Sequence, residues 1–170
     1  ATTLGRISNI FGLDLQKGVA GGVDPVGSAL NQWSNDSSAT ADFMADVTLR
    51  VAGIAKTSKI AAGDILGLAS VLQQNGVSAE VAGTALNKII GNLAKDYALI
   101  AKTLNLTTAE QKKFADLINT DTNAALTFFL QNLNVTNTSA LDLGKLLKQL
   151  GVDGEREANA LKVLATSLDD

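Results

Sequence analysis

Gly76-Val77-Ser78-Ala79-Glu80-Val81-Ala82-Gly83-Thr84-Ala85-Leu86 decides how this chain folds. Asn75-Gly76 reads as a helix stop, because glycine enters the left-handed conformation that closes a helix without a Cβ penalty. Ser78 reads as a helix start, because its hydroxyl can accept an amide proton of the first turn. From Ala82 onward Leu86, Ile89, Ile90, Leu93, Tyr97, Ile100, Ala101 and Leu104 recur at helical spacing. The expectation is one longer helix over about residues 79–104. It should bury Leu86, Ile90, Leu93 and Tyr97, hold Gly76 at positive φ and use Ser78 as its N-cap. No atom in the stretch performs chemistry, so it is a packing device.

The same signals recur on both sides. Upstream, Leu4, Ile7, Ile10 and Phe11 suggest a short helix, and the glycines at 12, 18, 21 and 22 suggest a broken connector. Asp24-Pro25 is a start signal, followed by the stripe Val26, Ala29, Leu30 and Trp33. Ser37-Ser38-Ala39-Thr40 is a capping cluster. Beyond it Phe43, Val47, Val51 and Ile54 line one helix face, with Asp46 and Arg50 four apart on another. Ile65, Leu68, Ala69 and Leu72 form a further stripe. Downstream, Thr107 and Glu110 are spaced as a capping box before Phe114, Leu117 and Ile118. Asp121, Ser139 and Asp153 are placed to cap three later helices, with Gly151 stopping the second of these. Nothing alternates with period two over a strand length. The fold class is therefore all-α, a compact bundle or array of about seven to nine short helices with one longer one. Residues 1–36 form an N-terminal segment with a Gly-rich connector, and 37–170 form one helical domain. The start at Ala1 and the stop at Asp169-Asp170 read as the ends of a piece of a longer protein.

Composition narrows the chemistry. The 170 residues are 46% hydrophobic but 4% aromatic, so the core must be built from Leu, Ile, Val and Ala. With no His and no Cys, the chain lacks the usual neutral-pH base, any thiolate nucleophile and any disulfide. The net charge is −3, and the 14 basic residues are scattered; Lys112-Lys113 is the densest pair, far short of a phosphate-neutralising face. No nucleic-acid binding is expected. The longest uncharged stretch, Thr122 to Leu141, is interrupted by asparagines and a glutamine, so no membrane span is expected either. The glycines from 18 to 22 lack a following Gly-Lys-Ser/Thr and so do not make a phosphate loop. Asp14, Asp24, Asp36, Asp116 and Asp121 are explained as turn and cap residues. Asp153-Gly154-Glu155-Arg156-Glu157 lacks the oxygen spacing of a calcium loop and reads as a helix start with acids in its first turn. Ser78 and Lys88 are a helix start and a helix surface, not a catalytic pair. Gly63/Gly67 and Ala94/Ala98 suit close helix approach. No catalytic, cofactor-binding or metal-binding residue is assigned. The residues singled out are structural: Gly76, Ser78, Gly83, Leu86, Gly151 and Asp153.

Three segments together resemble the tail tape measure proteins of long-tailed phages and prophages. Residues 76–93, GVSAEVAGTALNKIIGNL, are similar to that family's G-[VI]-S-x-E-x-A-G-T-A-L hallmark. Residues 114–133, FADLINTDTNAALTFFLQNL, are similar to F-x-x-x-L-x-x-D-x-x-x-A-L-x-x-F-L-x-x-L. Residues 150–165, LGVDGEREANALKVLA, are similar to L-G-[IV]-x-G-x-R-x-x-x-x-L-x-x-L-A. Upstream, Val51-Ala52-Gly53-Ile54-Ala55-Lys56 resembles a further phrase of the family. The resemblance spans about residues 40–170, matches residues 1–36 weakly, and departs at Asn87, where the family is often basic. It implies a non-enzymatic structural protein that sets tail length and templates tube assembly. The implied partners are the tail tube protein and tail assembly chaperones, with self-association open. The implied location is the tail lumen of the virion, after assembly in the host cytoplasm. Two other readings are a general α-helical interaction module of a bacterial surface or secretion system and a tail-associated peptidoglycan-cleaving domain.

Overall fold

The computed structural model describes residues 40–135 and 140–167. Among these it is all-α: 82% helical, with eight helices and no strand. The readings placed on residues 1–39, on the Ser139 cap and on 168–170 lie outside the described residues. We number the helices α1 (Ala41–Ser58), α2 (Ala62–Gln74), α3 (Ala79–Leu93), α4 (Tyr97–Thr103), α5 (Thr108–Thr120), α6 (Thr122–Val135), α7 (Ala140–Gln149) and α8 (Glu155–Ser167). Two units divide the chain, residues 1–84 and 85–170, with the division inside α3.

In the first unit α1 packs against α2. Thr40 caps α1, its hydroxyl accepting from the Phe43 amide. The same residue ties the start of α1 to the end of α2. Its amide donates to Gln73 Oε1 at 2.6 Å, and Gln73 Nε2 donates back to Thr40 Oγ1 at 3.2 Å. Met44, Val47, Val51, Ile65, Leu66 and Leu72 are fully or almost fully buried. Phe43, Ile54 and Leu68, read as core from their spacing, are only half-buried. Thr48 is buried without cost to its hydroxyl, which donates to the Met44 carbonyl one turn earlier. Asp46 and Arg50 form the expected ion pair at 3.2 Å.

In the second unit α6 packs against α5 and α8, and α4 against α5 and α7. Thr107 and Glu110 close a complete capping box at the start of α5. Asp121 Oδ1 accepts from the Ala124 amide at the start of α6. The buried side chains include Leu86, Ile89, Leu93, Ile100, Phe114 and Phe129.

The longer helix expected over 79–104 is not one helix. It stops at Leu93, and α4 begins at Tyr97. Between them the amides of Lys95 and Asp96 both donate to the Asn92 carbonyl, each at 3.1 Å. Asp96 then occupies the N-cap position, its carbonyl accepting from Ile100. A straight helix over 79–104 would run about 39 Å; the break divides it into α3 and α4, and α4 packs against α5 and α7. Tyr97 is corrected with it: the ring is 43% exposed instead of buried. Among the described residues the longest helix is α1, with 18 residues.

Candidate functional site

Four described residues have positive φ: Lys59 at 59°, Gly76 at 75°, Asn105 at 52° and Gly151 at 75°. Each ends a helix with the same pair of backbone bonds. At Gly76, its own amide donates to Gln73 O (2.9 Å) and the Val77 amide to Leu72 O (3.0 Å). At Gly151, the matching bonds are Gly151 N to Lys148 O (3.0 Å) and Val152 N to Leu147 O (2.8 Å). Lys59 with Ile60, and Asn105 with Leu106, repeat the pattern. This is the Schellman closure, which satisfies the last carbonyls of a helix and turns the chain sharply. The residue after each closure is apolar: Ile60, Val77, Leu106 and Val152. Three of these are buried and Val77 is half-buried. The next helix starts within two residues, from Ala61, Ser78, Thr107 and Gly154. The segments read as Gly-Val-Ser and Gly-Val-Asp are thus two copies of one corner, and Lys59-Ile60-Ala61 and Asn105-Leu106-Thr107 are two more.

The structural residues fall into two local groups. In the first unit, Gly76 and Ser78 form the corner as expected; Ser78 Oγ accepts from the Val81 amide at 3.4 Å. Because that bond is long, Ser78→Ala is expected to cost about 0.5–1 kcal/mol, the low end of the N-cap range. A urea titration giving no loss would remove the cap. Gly83 lies about a turn and a half further along α3 and is buried, where Arg50 of α1 crosses it. A Cβ at Gly83 would sit 2.6 Å from Arg50 Cδ and 2.8 Å from Arg50 Cβ. Alanine elsewhere in a helix gains about 1 kcal/mol over glycine, but overpacking a closed contact costs about 1–3 kcal/mol. Gly83→Ala is therefore expected to be destabilising. Gly53→Ala on α1, where nothing lies within 4 Å of the added methyl, is expected to be stabilising. Thermal melts that moved the same way for both would refute the close approach.

In the second unit, Gly151 and Asp153 meet α3. Asn92 Nδ2 donates to Lys88 O and to Leu150 O, both at 3.0 Å. A Cβ on Gly151 would stand 3.4 Å from that same nitrogen. Lys88 Nζ pairs with Asp153 Oδ1 at 3.1 Å. Asp153 is not the N-cap of α8, as its spacing suggested. The first helical carbonyl is that of Gly154, which accepts from Ala158, so Asp153 stands one residue too early and its carboxylate turns to Lys88 instead. That hydrogen bond is the main cause holding the Asp153 carboxyl below the usual carboxylate range. Lys88, which reads as a helix-surface residue, thus shares this corner with Asn92; their i, i+4 spacing is the sequence signal for a shared role. Leu86 is fully buried.

The α7–α8 corner also borders a shallow cleft of about 220 Å³, with Leu147, Val152 and Ala158 as its apolar lining and Lys148 and Lys162 among its charged residues. Ligand pockets usually hold about 300–1,000 Å³, so the cleft is small for that use. Among the described residues no group of His, Cys, Asp and Glu is placed to hold a metal ion, and no helix is long and apolar enough to cross a membrane. Among the described residues, Leu141 (69% exposed) and Tyr97 (43% exposed) are the large hydrophobics left in solvent.

A family model described as phage-related minor tail protein matches residues 1–124. The chain belongs to that family. The matched range takes in the whole Gly76–Leu86 hallmark and the segment 1–36 that the motifs match weakly, and it ends before the Gly151–Asp153 corner. Membership makes this a phage tail protein, with a structural role in the tail of the virion. No curated protein and no solved structure matches the chain.

Proposed function

We propose that this phage tail protein is a folded helical part of a tape measure protein, acting by binding and not by catalysis. The observation that carries the reading is the order of its three motifs on a chain of the minor tail family. The first and third of those motifs are built around the same closed corner. Such corners fix helix directions and leave helix faces for partners. Tail tube protein and assembly chaperones are the partners that fit a tape measure role, within the tail lumen. Leu141 and Tyr97 mark where apolar surface is available for such contacts. The lack of His and Cys in the sequence supports a non-enzymatic role.

The test is tail length. In a phage encoding this chain, in-frame deletions within extended helical parts of the parent protein are expected to shorten the tail by about 1.5 Å per residue. Deleting residues 40–170 is expected to block assembly or ejection instead, because a folded array adds little length per residue. Infectious virions with tails of normal length after that deletion would overturn the reading. Cleavage of purified cell wall by the isolated chain would replace it with an enzymatic one.

A further inference from the structure

Asn75-Gly76 is the one Asn-Gly pair in the sequence, and it sits at the corner before the hallmark helix. Asparagine followed by glycine is chemically exposed, because the glycine amide nitrogen meets no side chain when it attacks the asparagine Cγ. Both residues are solvent-exposed, and nothing lies within 4 Å of the position a Gly76 Cβ would take. Three features nevertheless oppose the attack. The Gly76 amide is engaged with Gln73 O at 2.9 Å, and Asn75 Nδ2 donates to Val71 O at 2.9 Å, which draws the side chain back along α2. The third is the backbone angle. Asn75 has ψ of 15°, which eclipses the Gly76 nitrogen with the Asn75 nitrogen and rotates Cβ out of their plane. A five-membered ring needs Cβ, Cα, the carbonyl carbon and the Gly76 nitrogen near one plane.

We propose that Asn75-Gly76 is a site of spontaneous deamidation that the closed α2 corner holds shut. When the corner opens, the Gly76 nitrogen loses its proton to solvent and forms a bond to Asn75 Cγ. The Cγ–Nδ2 bond breaks and ammonia leaves. Water then opens the succinimide at either carbonyl, giving aspartate or isoaspartate at position 75. Either product changes the corner. Aspartate places a negative charge at the C-terminal end of α2, where the helix dipole is already negative. Isoaspartate adds a methylene to the backbone, so the two closing hydrogen bonds no longer keep their spacing. Opening of this one corner is thereby recorded as a covalent change.

The experiment incubates the full chain at mildly alkaline pH, with and without urea, and maps deamidation by peptide mass spectrometry. In urea, Asn75 is expected to deamidate faster than every other asparagine, with isoaspartate among the products. In the folded chain its rate is expected to fall by roughly tenfold or more, as local opening becomes limiting. Val77→Ala, which trims the apolar residue after the closure, is expected to raise the folded rate and leave the urea rate unchanged. Equal rates with and without urea would overturn the gating. A urea rate at Asn75 no faster than at other asparagines would overturn the site itself.

Discussion

Phe114→Ala is expected to cost about 3–5 kcal/mol, the usual loss for emptying a buried phenylalanine site. Phe114 is fully buried on α5, and its ring stacks on Phe128 of α6 with centroids 5.5 Å apart and planes 24° apart. That pairing contributes about 0.5–1.5 kcal/mol beyond the area it buries, and the remainder comes from lost transfer free energy and the cavity. Native domains are stable by only about 5–15 kcal/mol, so the substitution removes a large share of the total. Phe114→Leu keeps most of the volume and is expected to lose less, because only the ring stacking and part of the area go. Lys113 stands 5.4 Å from the Phe128 ring centre, and the exposed cation–π contact should make Lys113→Ala cost only about 0.5–1 kcal/mol. Urea midpoints at constant slope measure all three. A Phe114→Ala loss below about 1 kcal/mol would mean that the α5–α6 interface is not closed as described.

The sequence made the helices and most caps legible, because both signals are local. Thr40, Ser78, Thr107 and Asp121 all accept from an amide in the first turn of the helix they precede. Two of the four left-handed corners were equally legible, since Gly76 and Gly151 carry the glycine that such a closure favours. The other two were hidden by residue type. Lys59 and Asn105 take the same conformation without being glycine, and they depend on the apolar residue that follows to close the turn. Ile60 and Leu106 are both buried. The better sequence signal is therefore the whole phrase: a left-handed residue, an apolar one, then within two residues one that starts a helix.

The structural residues were less legible as a set. Gly76, Ser78 and Gly83 are neighbours in sequence, and a local reading groups them correctly. The partner that makes Gly83 matter is Arg50, more than thirty residues earlier, and no pattern in either helix announces it. Asp153 looked like an N-cap because acids favour that position. It is displaced by one residue because Gly154 starts α8, and the charge finds Lys88 across the fold. Asn92 shows the same limit: a polar residue on an exposed-looking face becomes the tie between α3 and the α7–α8 corner.

Leu93→Ala is expected to cost about 2–5 kcal/mol, by the same transfer and cavity terms, while Tyr97→Ala costs little. The contrast tests where α3 ends. Both positions belong to one unbroken stripe in the sequence, because a three-residue turn is close to one helical period and leaves the phase of the apolar residues almost unchanged. Periodicity therefore cannot distinguish a helix over 79–104 from two helices joined by Ala94-Lys95-Asp96. Burial can. Leu93 is 1% exposed as the last residue of α3, and Tyr97 is 43% exposed as the first of α4. In a continuous helix with its stripe facing the core, both substitutions would be expensive, the tyrosine at least as much as the leucine. With the break, truncating Tyr97 removes a half-exposed ring, and the loss should stay near the ±0.5 kcal/mol typical of surface positions. Equal, large losses at Leu93 and Tyr97 in the same urea titration would restore the continuous helix and remove the bend that lets α4 reach α5 and α7.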